Sequence, residues 1–223
     1  MDPIKYINVK EDILSDNRDY AEEVRELLRE KGVFMLNLMS SPGAGKTSLV
    51  LQTLRSLKDD YRIAVIEGDI ESQVDAEKIA GEGVQTVQLR TGGPCHLDAP
   101  MIKTALDDLE LDDLDMVIIE NVGNLVCPAE FDTGAAAKAM ILSVPEGDDK
   151  VLKYPLMFSV TEALVINKID YLQVAEFDME KFVEHVRKLN AEVDIFKVSC
   201  KTGEGLENWA EWLKKQLQNF INK

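Results

Sequence analysis

The sequence SSPGAGKT at residues 40–47 constrains the fold of this chain more than any other segment. It follows a short apolar run, residues 33–39, and it precedes an amphipathic pattern that extends from Thr47 to Leu57. An apolar run, a glycine-rich turn and a helical pattern in this order are typical of a phosphate-binding loop between a strand and a helix. The segment fits G-x-x-x-x-G-K-[ST] except that Ser40 stands in place of the first glycine. The chain is therefore predicted to bind a nucleotide at the end of a buried strand.

Each part of this loop has an expected role toward a nucleoside triphosphate. Small residues allow the backbone N–H groups to surround the β-phosphate. Lys46 supplies a positive charge to the β- and γ-phosphates, and Thr47 offers its hydroxyl to Mg²⁺. The residues predicted to contact the nucleotide here are Ser41, Gly43, Ala44, Gly45, Lys46, Thr47 and Ser48.

Seven short apolar runs alternate with helical patterns along the chain. Short buried strands separated by helices are typical of a mostly parallel sheet with helices on both faces. We therefore predict an α/β fold with a seven-stranded sheet, in which residues 1–32 form an N-terminal helical extension and residues 33–223 form one globular unit. The predicted strands are residues 33–39, 63–66, 84–89, 116–119, 140–144, 163–166 and 195–198, and the predicted helices include residues 47–57, 99–109, 179–189 and 206–220.

Two further motifs predict the identity of the base. Residues 167–170 read NKID, which matches the N-K-x-D pattern at the end of the sixth predicted strand. The Asp170 carboxylate can accept from both N1–H and N2–H of guanine, whereas adenine lacks this donor pair and would leave the carboxylate unpaired. Residues 199–201 read SCK and are similar to the loop that covers the other side of guanine in GTPases. The unit is therefore interpreted as a P-loop GTPase domain that binds GTP or GDP through Asn167, Lys168, Asp170, Ser199, Cys200 and Lys201.

Contacts to Mg²⁺ and to the attacking water are predicted at the ends of the second and fourth strands. The fourth strand ends in an E-x-x-G pattern, in which Glu120 is expected to hold Mg²⁺ through water and the N–H of Gly123 to meet the γ-phosphate. No glutamine follows Gly123, so intrinsic hydrolysis is predicted to be slow. A charge in the first turn of a helix is the alternative interpretation of Asp75. The predicted catalytic residues are Lys46, Asp69, Asp75 and Glu120, and the predicted magnesium contacts are Thr47, Asp69, Asp75 and Glu120.

The charge balance excludes several classes of partner. Lys and Arg total 25 and Asp and Glu total 41, which gives a net charge of −16 and repels phosphate backbones and anionic membrane surfaces. We expect no nucleic acid and no membrane as partners, because no apolar run approaches the ~18 residues of a membrane helix and no signal-peptide pattern is visible. Three cysteines argue against a disulfide framework, so a cytoplasmic location is predicted. The acidic segment 146–150 is interpreted as a solvated turn.

A second metal site is suggested by Cys95, His96 and Cys127, which lie in the loops after the third and fourth predicted strands. Thiolate and imidazole suit Zn²⁺ or Ni²⁺. Three ligands leave one position for water, for Asp98 or for a second copy of the chain. From spacing alone, buried and inert cysteines explain the pattern equally well. His185 lies in a charged helical pattern and is interpreted as a surface residue.

Taken together, the motifs resemble those of the hydrogenase nickel-incorporation GTPases, the HypB-type maturation factors. The resemblance extends from about Val33 to Gly205, which is most of the chain. It implies a fold similar to those of the urease-maturation GTPase and the nitrogenase iron protein. The segments that carry it are residues 68–71 (GDIE), 75–77 (DAE), 95–99 (CHLDA), 120–128 (ENVGNLVCP) and 153–155 (KYP).

The resemblance implies a GTP-hydrolysing switch that assists nickel insertion into [NiFe] hydrogenase. It implies that Cys95, His96 and Cys127 bind Ni²⁺ or Zn²⁺ at the interface of a nucleotide-dependent homodimer. A nickel-insertion partner protein and the precursor of the hydrogenase large subunit are the other implied partners. The sequence lacks the N-terminal C-x-x-C-G-C motif and the histidine-rich stretch of some members, so nickel capture or storage by such segments is not expected.

Two alternative functions remain at this point. The chain could be a GTP-gated metal-binding module in which hydrolysis is incidental. It could also be a maturation GTPase for another metalloenzyme, such as urease.

Overall fold

The computed structural model describes residues 9–69 and 73–222, with side chains from Leu14 onward. Ile70 and Glu71, which contribute to the family resemblance, lie outside the described residues. The strands are β1 (Phe34–Ser40), β2 (Ile63–Asp69), β3 (Gln85–Arg90), β4 (Met116–Glu120), β5 (Ala137–Ser143), β6 (Ala163–Asn167) and β7 (Asp194–Lys197). The helices are α1 (Val9–Lys31), α2 (Lys46–Leu57), α3 (Val74–Ala80), α4 (Ala99–Leu106), α5 (Cys127–Glu130), α6 (Lys150–Lys153), α7 (Pro155–Ser159), α8 (Met179–Leu189) and α9 (Leu206–Ile221).

The strands form one sheet in the order β3-β2-β4-β1-β5-β6-β7, and every pairing in it is parallel. The prediction of a mostly parallel, seven-stranded sheet is therefore confirmed. β1 lies at the centre between β4 and β5, and all of its residues are buried. The carboxyl ends of parallel strands meet at one edge of the sheet, so the loops that carry the nucleotide motifs are brought together there.

Alternate residues of each central strand point to opposite faces of the sheet. Phe34 packs with α2 and α9 on one face, whereas Met35 packs with α1 and α4 on the other. The two tryptophans of α9 are core residues, as their helical spacing predicts. Trp209 donates from Nε1 to Thr53 Oγ1 at 2.9 Å, which joins α9 to the helix that follows the phosphate loop.

Most element boundaries lie within one residue of the prediction, and the larger differences are at β2, β5 and α4. β2 extends to Asp69, three residues past the predicted end at Ile66. β5 begins at Ala137, three residues before the predicted start at Met140. The prediction missed these residues because they are alanine and lysine, which have little strand preference. α4 ends at Leu106, three residues early, although Leu109 is still buried in the core after the chain has left the helix. The division of the chain at residue 32 stays a prediction. Among the described residues, no helix is both long and apolar enough to cross a membrane.

Candidate nucleotide and metal sites

A cavity of about 570 Å³ lies at the carboxyl ends of β1, β2 and β4. The phosphate-loop residues line one side of it, and the acidic residues at the ends of β2 and β4 line the other. The sequence predicts this arrangement, since each of these segments ends a strand of the parallel sheet. The predicted residues that meet here are Gly43, Gly45, Lys46, Thr47, Ser48, Asp69, Asp75, Glu120, Gly123 and Lys168.

The backbone of the phosphate loop depends on its glycines. Gly43 has φ +75° and Gly45 has φ +105°, a left-handed conformation that side chains disfavour. A Cβ atom on Gly45 would also lie 2.4 Å from Nδ2 of Asn167. Lys46 donates from Nζ to Ser40 Oγ at 3.0 Å, and its burial lowers its pKa against the opposing charges of Glu120 and Glu146. The loop thus holds a buried cation beside the space for the phosphates.

Glu146 is a part of this site that the sequence interpretation missed. We interpreted residues 146–150 as a solvated turn, and for Glu146 this is wrong. The hydroxyl of Ser41, in the phosphate loop, donates to Oε1 of Glu146. The other carboxylate oxygen accepts from the backbone N–H of Ser143 at 2.7 Å and from its hydroxyl at 2.8 Å. The carboxylate therefore joins the end of β5 to the phosphate loop, a contact between distant residues that no local pattern signals.

Thr47 and Glu120 form an oxygen-rich corner of the cavity. The hydroxyl of Thr47 donates to Oε1 of Glu120 at 2.7 Å. Glu120 is only 4% exposed, and its Oε2 has no hydrogen-bond partner among the described residues. Burial raises the pKa of Glu120 to about 7, although the Thr47 hydrogen bond and the Lys46 charge oppose the shift. A buried carboxylate oxygen without a partner beside a hydroxyl fits Mg²⁺, a hard cation that prefers oxygen ligands.

The acidic residues on the β2 side reach the same cavity from two elements. Asp69 ends β2, and Asp75 lies in the first turn of α3, where Lys78 donates to it at 2.8 Å. Asp75 is thus both a charge in the first turn of a helix, as the alternative interpretation has it, and a residue that lines the cavity. Glu67, which the sequence analysis did not single out, is 2% exposed and is the register partner of Glu120 on the adjacent strand. Burial raises its pKa to about 7, against a hydrogen bond from Gln88.

The base motif is bonded directly to the phosphate loop. Asn167 donates from Nδ2 to the carbonyl of Ala44 at 3.0 Å, and Lys168 donates from Nζ to the carbonyl of Gly43 at 2.7 Å. Lys168 also has a left-handed backbone, at φ +59°. These contacts agree with the expected role of the pair in tying the two loops together.

A second cavity, of about 460 Å³, lies between the base motif and the SCK loop. The hydroxyl of Ser199 donates to Oδ1 of Asp170 at 2.7 Å, and the backbone N–H of Cys200 donates to the side-chain oxygen of Asn167 at 3.2 Å. These bonds orient the carboxylate before any base arrives. Burial raises the pKa of Cys200 to about 11, so this thiol stays neutral. The lining residues include Gly45, Ser48, Asn167, Lys168, Asp170, Cys200 and Lys201.

Cys95, His96 and Cys127 come together as the sequence suggests. Their ligand atoms all lie within 4.8 Å of one another, and the two Sγ atoms are 3.0 Å apart. Nδ1 of His96 is buried and has no hydrogen-bond partner among the described residues. Burial lowers the pKa of His96, which favours the neutral ring that binds metals. The His96 ring stacks on Phe131 with ring centroids 3.8 Å apart. Two thiols and one imidazole fit Ni²⁺ or Zn²⁺.

Asn121 joins the metal loops to the nucleotide cavity. Its side chain is fully buried, and Oδ1 accepts from the backbone N–H of Leu97 at 3.0 Å and of Val122 at 2.9 Å. Leu97 directly follows His96, and its side chain fills the space where a Cβ atom of Gly68 would lie, 2.7 Å away. The segment that carries two metal ligands is therefore held against the ends of both β2 and β4.

Comparisons with known proteins agree on one family. A family model described as "CobW/HypB/UreG, nucleotide-binding domain" matches residues 34–197. The hydrogenase maturation factor HypB of Escherichia coli K12 is 45% identical over 212 residues, covering 95% of this chain and 73% of that protein. The hydrogenase/urease maturation factor HypB of Helicobacter pylori J99 is 43% identical over 221 residues, covering 97% of this chain and 90% of that protein.

Solved structures give the same result. The crystal structure of HypB from Helicobacter pylori in complex with nickel has a TM-score of 0.86 and 42% identity, covering 92% of this chain and 97% of that chain. The signal recognition particle protein of Aeropyrum pernix in complex with GDP has a TM-score of 0.56 and 13% identity, covering 91% of this chain and 53% of that chain. At that identity the second likeness shows the fold alone.

Proposed function

The chain belongs to the HypB family of hydrogenase maturation factors, and on that premise we propose that it is a GTP-hydrolysing switch that assists nickel insertion into [NiFe] hydrogenase. The reaction is the hydrolysis of GTP to GDP and phosphate. Nickel is the cargo, and the nucleotide state sets how tightly the cargo is held. A nickel-insertion partner protein and the hydrogenase large-subunit precursor are the proposed partners, and the cytoplasm is the proposed compartment.

The observation that carries this proposal is the short connection between the two sites. Glu120 lies in the phosphate cavity, and Cys127, seven positions later in the chain, belongs to the metal cluster. Gly123, between them, packs so closely on Pro42 of the phosphate loop that a Cβ atom would lie 2.9 Å from its nitrogen. A change at the γ-phosphate needs to travel only four residues, from Gly123 to Cys127, to move a metal ligand.

The nucleotide residues have distinct proposed roles. Lys46 and the loop N–H groups hold the phosphates, and Asp170 accepts from guanine. Mg²⁺, held by Thr47 and Glu120, would neutralise charge on the transferred phosphoryl group. Asp69 and Asp75 are the candidates for completing the Mg²⁺ shell or for orienting the attacking water. Since no glutamine follows Gly123, we expect turnover on the order of minutes or longer without a partner.

Homodimerisation is proposed from the ligand count and from the adjoining surface. Three ligands leave one corner of a tetrahedron open, and a second copy is a natural source of the remainder. Large apolar side chains are exposed nearby: Val126, which precedes Cys127, is 48% exposed, and Leu152 and Leu156 are 63% and 46% exposed. α7 packs on both α5 and α6, so the helices that carry or adjoin these residues are neighbours. A second copy seated there would cover them.

A titration of the metal in two nucleotide states tests the proposal. Ni²⁺ affinity and sedimentation are measured with GDP and with a non-hydrolysable GTP analogue. We expect a difference in Ni²⁺ affinity of roughly 5–150-fold between the two states, which is the usual range of allosteric coupling. The difference should vanish in Lys46→Ala, and nickel binding should be lost in Cys127→Ala and His96→Ala.

The chain supplies its own controls. Cys200→Ala and His185→Ala change the same residue types away from the metal cluster, and both should bind nickel as the parent does. Equal Ni²⁺ affinity in both nucleotide states would refute the switch and favour the alternative, a metal-binding module in which hydrolysis is incidental. Normal nickel binding by Cys127→Ala would remove that cysteine from the site. The Helicobacter pylori relative is a hydrogenase/urease maturation factor, which supports urease as an alternative client. Measuring in vitro activation of apo-urease and of apo-hydrogenase separates the two clients.

A further inference from the structure

One buried side chain of α1 reaches both loops that carry the metal ligands. Asn17 is 4% exposed. Its Nδ2 donates to the backbone carbonyl of Asp132 at 2.9 Å, and its Oδ1 accepts from the backbone N–H of Ala99 at 2.9 Å. A single planar amide therefore spans two segments that lie far apart along the chain.

Both bonded positions are close to the metal ligands along the backbone. Ala99 is three residues after His96 and begins α4. Asp132 is five residues after Cys127 and directly follows Phe131, whose ring stacks on His96. The rigid amide of Asn17 therefore fixes the distance between the two loops.

The docking of α1 does not require this polar contact. Val24 and Leu28 of α1 are buried in the apolar core against the sheet, and they hold the helix in place. Burying an amide costs free energy unless its groups are paired, and both groups of the Asn17 amide are paired with the two loop segments. Arg25 forms an ion pair with the carboxylate of Asp132, which adds a second polar link to the same loop. The polar contacts of Asn17 and Arg25 thus reach the segment that follows Cys127, whereas Glu23 and Lys31 pair with Lys103 and Asp112.

The loop between Cys95 and Ala99 is consequently held at two points. Asn121 holds the N–H of Leu97 from the nucleotide side, and Asn17 holds the N–H of Ala99 from the side of α1. We propose that Asn17 is a positioning residue that sets the spacing of the Cys95–His96 loop and the Cys127 loop, so that α1 governs metal affinity. This inference rests on the proposed role of those residues as nickel ligands.

The test is Asn17→Leu, which keeps the branched shape and the number of heavy atoms of the side chain and removes both hydrogen bonds. Ni²⁺ affinity is measured by competition with a chromophoric chelator, together with the thiolate-to-nickel charge-transfer absorption, the GTP affinity and the thermal midpoint. We expect Ni²⁺ binding to weaken about 10-fold, as is usual when groups that orient ligands are lost. The charge-transfer band should shift, and GTP affinity should not change.

Leu28→Ala is the matched control, because it weakens the packing of α1 in the apolar core and leaves both hydrogen bonds of Asn17 in place. It should lower the thermal midpoint and leave Ni²⁺ affinity within twofold of the parent. The inference is overturned if Asn17→Leu binds Ni²⁺ like the parent, or if Leu28→Ala loses as much affinity. Failure of the proposed function is distinguishable, because Cys127→Ala would then bind nickel as the parent does.

Discussion

Replacement of Asn121 should weaken the link between the nucleotide and the metal while leaving both sites present. The side chain makes three buried hydrogen bonds: it accepts from the N–H groups of Leu97 and Val122, and it donates to Oδ1 of Asn37 at 3.1 Å. Asn121→Ala leaves each of these groups without its partner. A buried hydrogen bond contributes about 1 kcal/mol, so the free energy of unfolding should fall by about 3 kcal/mol.

The functional effect should be larger on coupling than on either affinity. Without the bond to Leu97, the Cys95–His96 segment no longer follows the end of β4, so a change at the γ-phosphate does not reach it. We expect the ratio of Ni²⁺ affinities between the two nucleotide states to fall below its parent value, which lies in the usual range of about 5–150-fold, while the part carried from Gly123 to Cys127 remains. Isothermal titration with GDP and with the GTP analogue measures this ratio, and urea denaturation measures the stability.

Asn37→Leu is the control for Asn121→Ala. It removes the bond between the two asparagines and leaves the bonds to Leu97 and Val122 intact. The free energy of unfolding should fall by about 1 kcal/mol, and the coupling should persist. A parent-like ratio in Asn121→Ala, or a lost ratio in Asn37→Leu, would refute the reasoning.

Three further predictions concern the nucleotide cavity. Asp170→Asn should weaken GTP binding severely and favour xanthine nucleotides, because the amide presents a donor where guanine already has donors; competition binding with XTP checks this. Because burial raises the pKa of Glu67 to about 7, the folded state binds this proton more tightly than the unfolded chain. In metal-free protein, the stability of the parent relative to Glu67→Gln should therefore fall as pH rises from about 4.5 to 7 and then level, as urea denaturation across that range would measure. Cys200, with a pKa of about 11, should react with iodoacetamide about tenfold faster per pH unit between pH 8 and 10, and bound GDP should block the reaction.

The nucleotide site could be predicted because its signals are local. The phosphate loop and the N-K-x-D motif each place several roles within a few consecutive residues, and each follows a buried strand. Because the strands are parallel, their carboxyl ends lie at one edge of the sheet. Asn167 at the end of β6 is thereby brought to Ala44 in the loop that follows β1. The metal cluster required more, since the spacing of Cys95 and Cys127 fits inert buried cysteines equally well, and only the family resemblance decided between the two interpretations.

The polar residues that connect the sites could not be predicted. Asn17, Asn121 and Glu146 each form more than one side-chain hydrogen bond, and the bonds that connect the sites go to groups far away in the chain. A lone asparagine in a helix or an acidic residue in a turn has the same local pattern whether it is solvated or buried. Asn121 directly follows Glu120 at the end of a buried strand, so the sequence indicates that it lies near the site. Its hydrogen-bond partners cannot be read from the sequence, because they depend on how residues 95–99 fold back over the end of β4.

The central place of β1 has a consequence for how the protein is made. The phosphate loop is translated early, yet β1 pairs with β4 and β5, which are complete only after residues 120 and 143. The helix that the loop begins is covered by α9, through the bond between Trp209 and Thr53. At about 5–20 residues per second, roughly 10–30 seconds separate translation of the loop from translation of α9. We therefore expect guanine nucleotide to bind tightly only after α9 has left the ribosome, and a chain stalled before residue 206 to carry the motif without the helix that covers it.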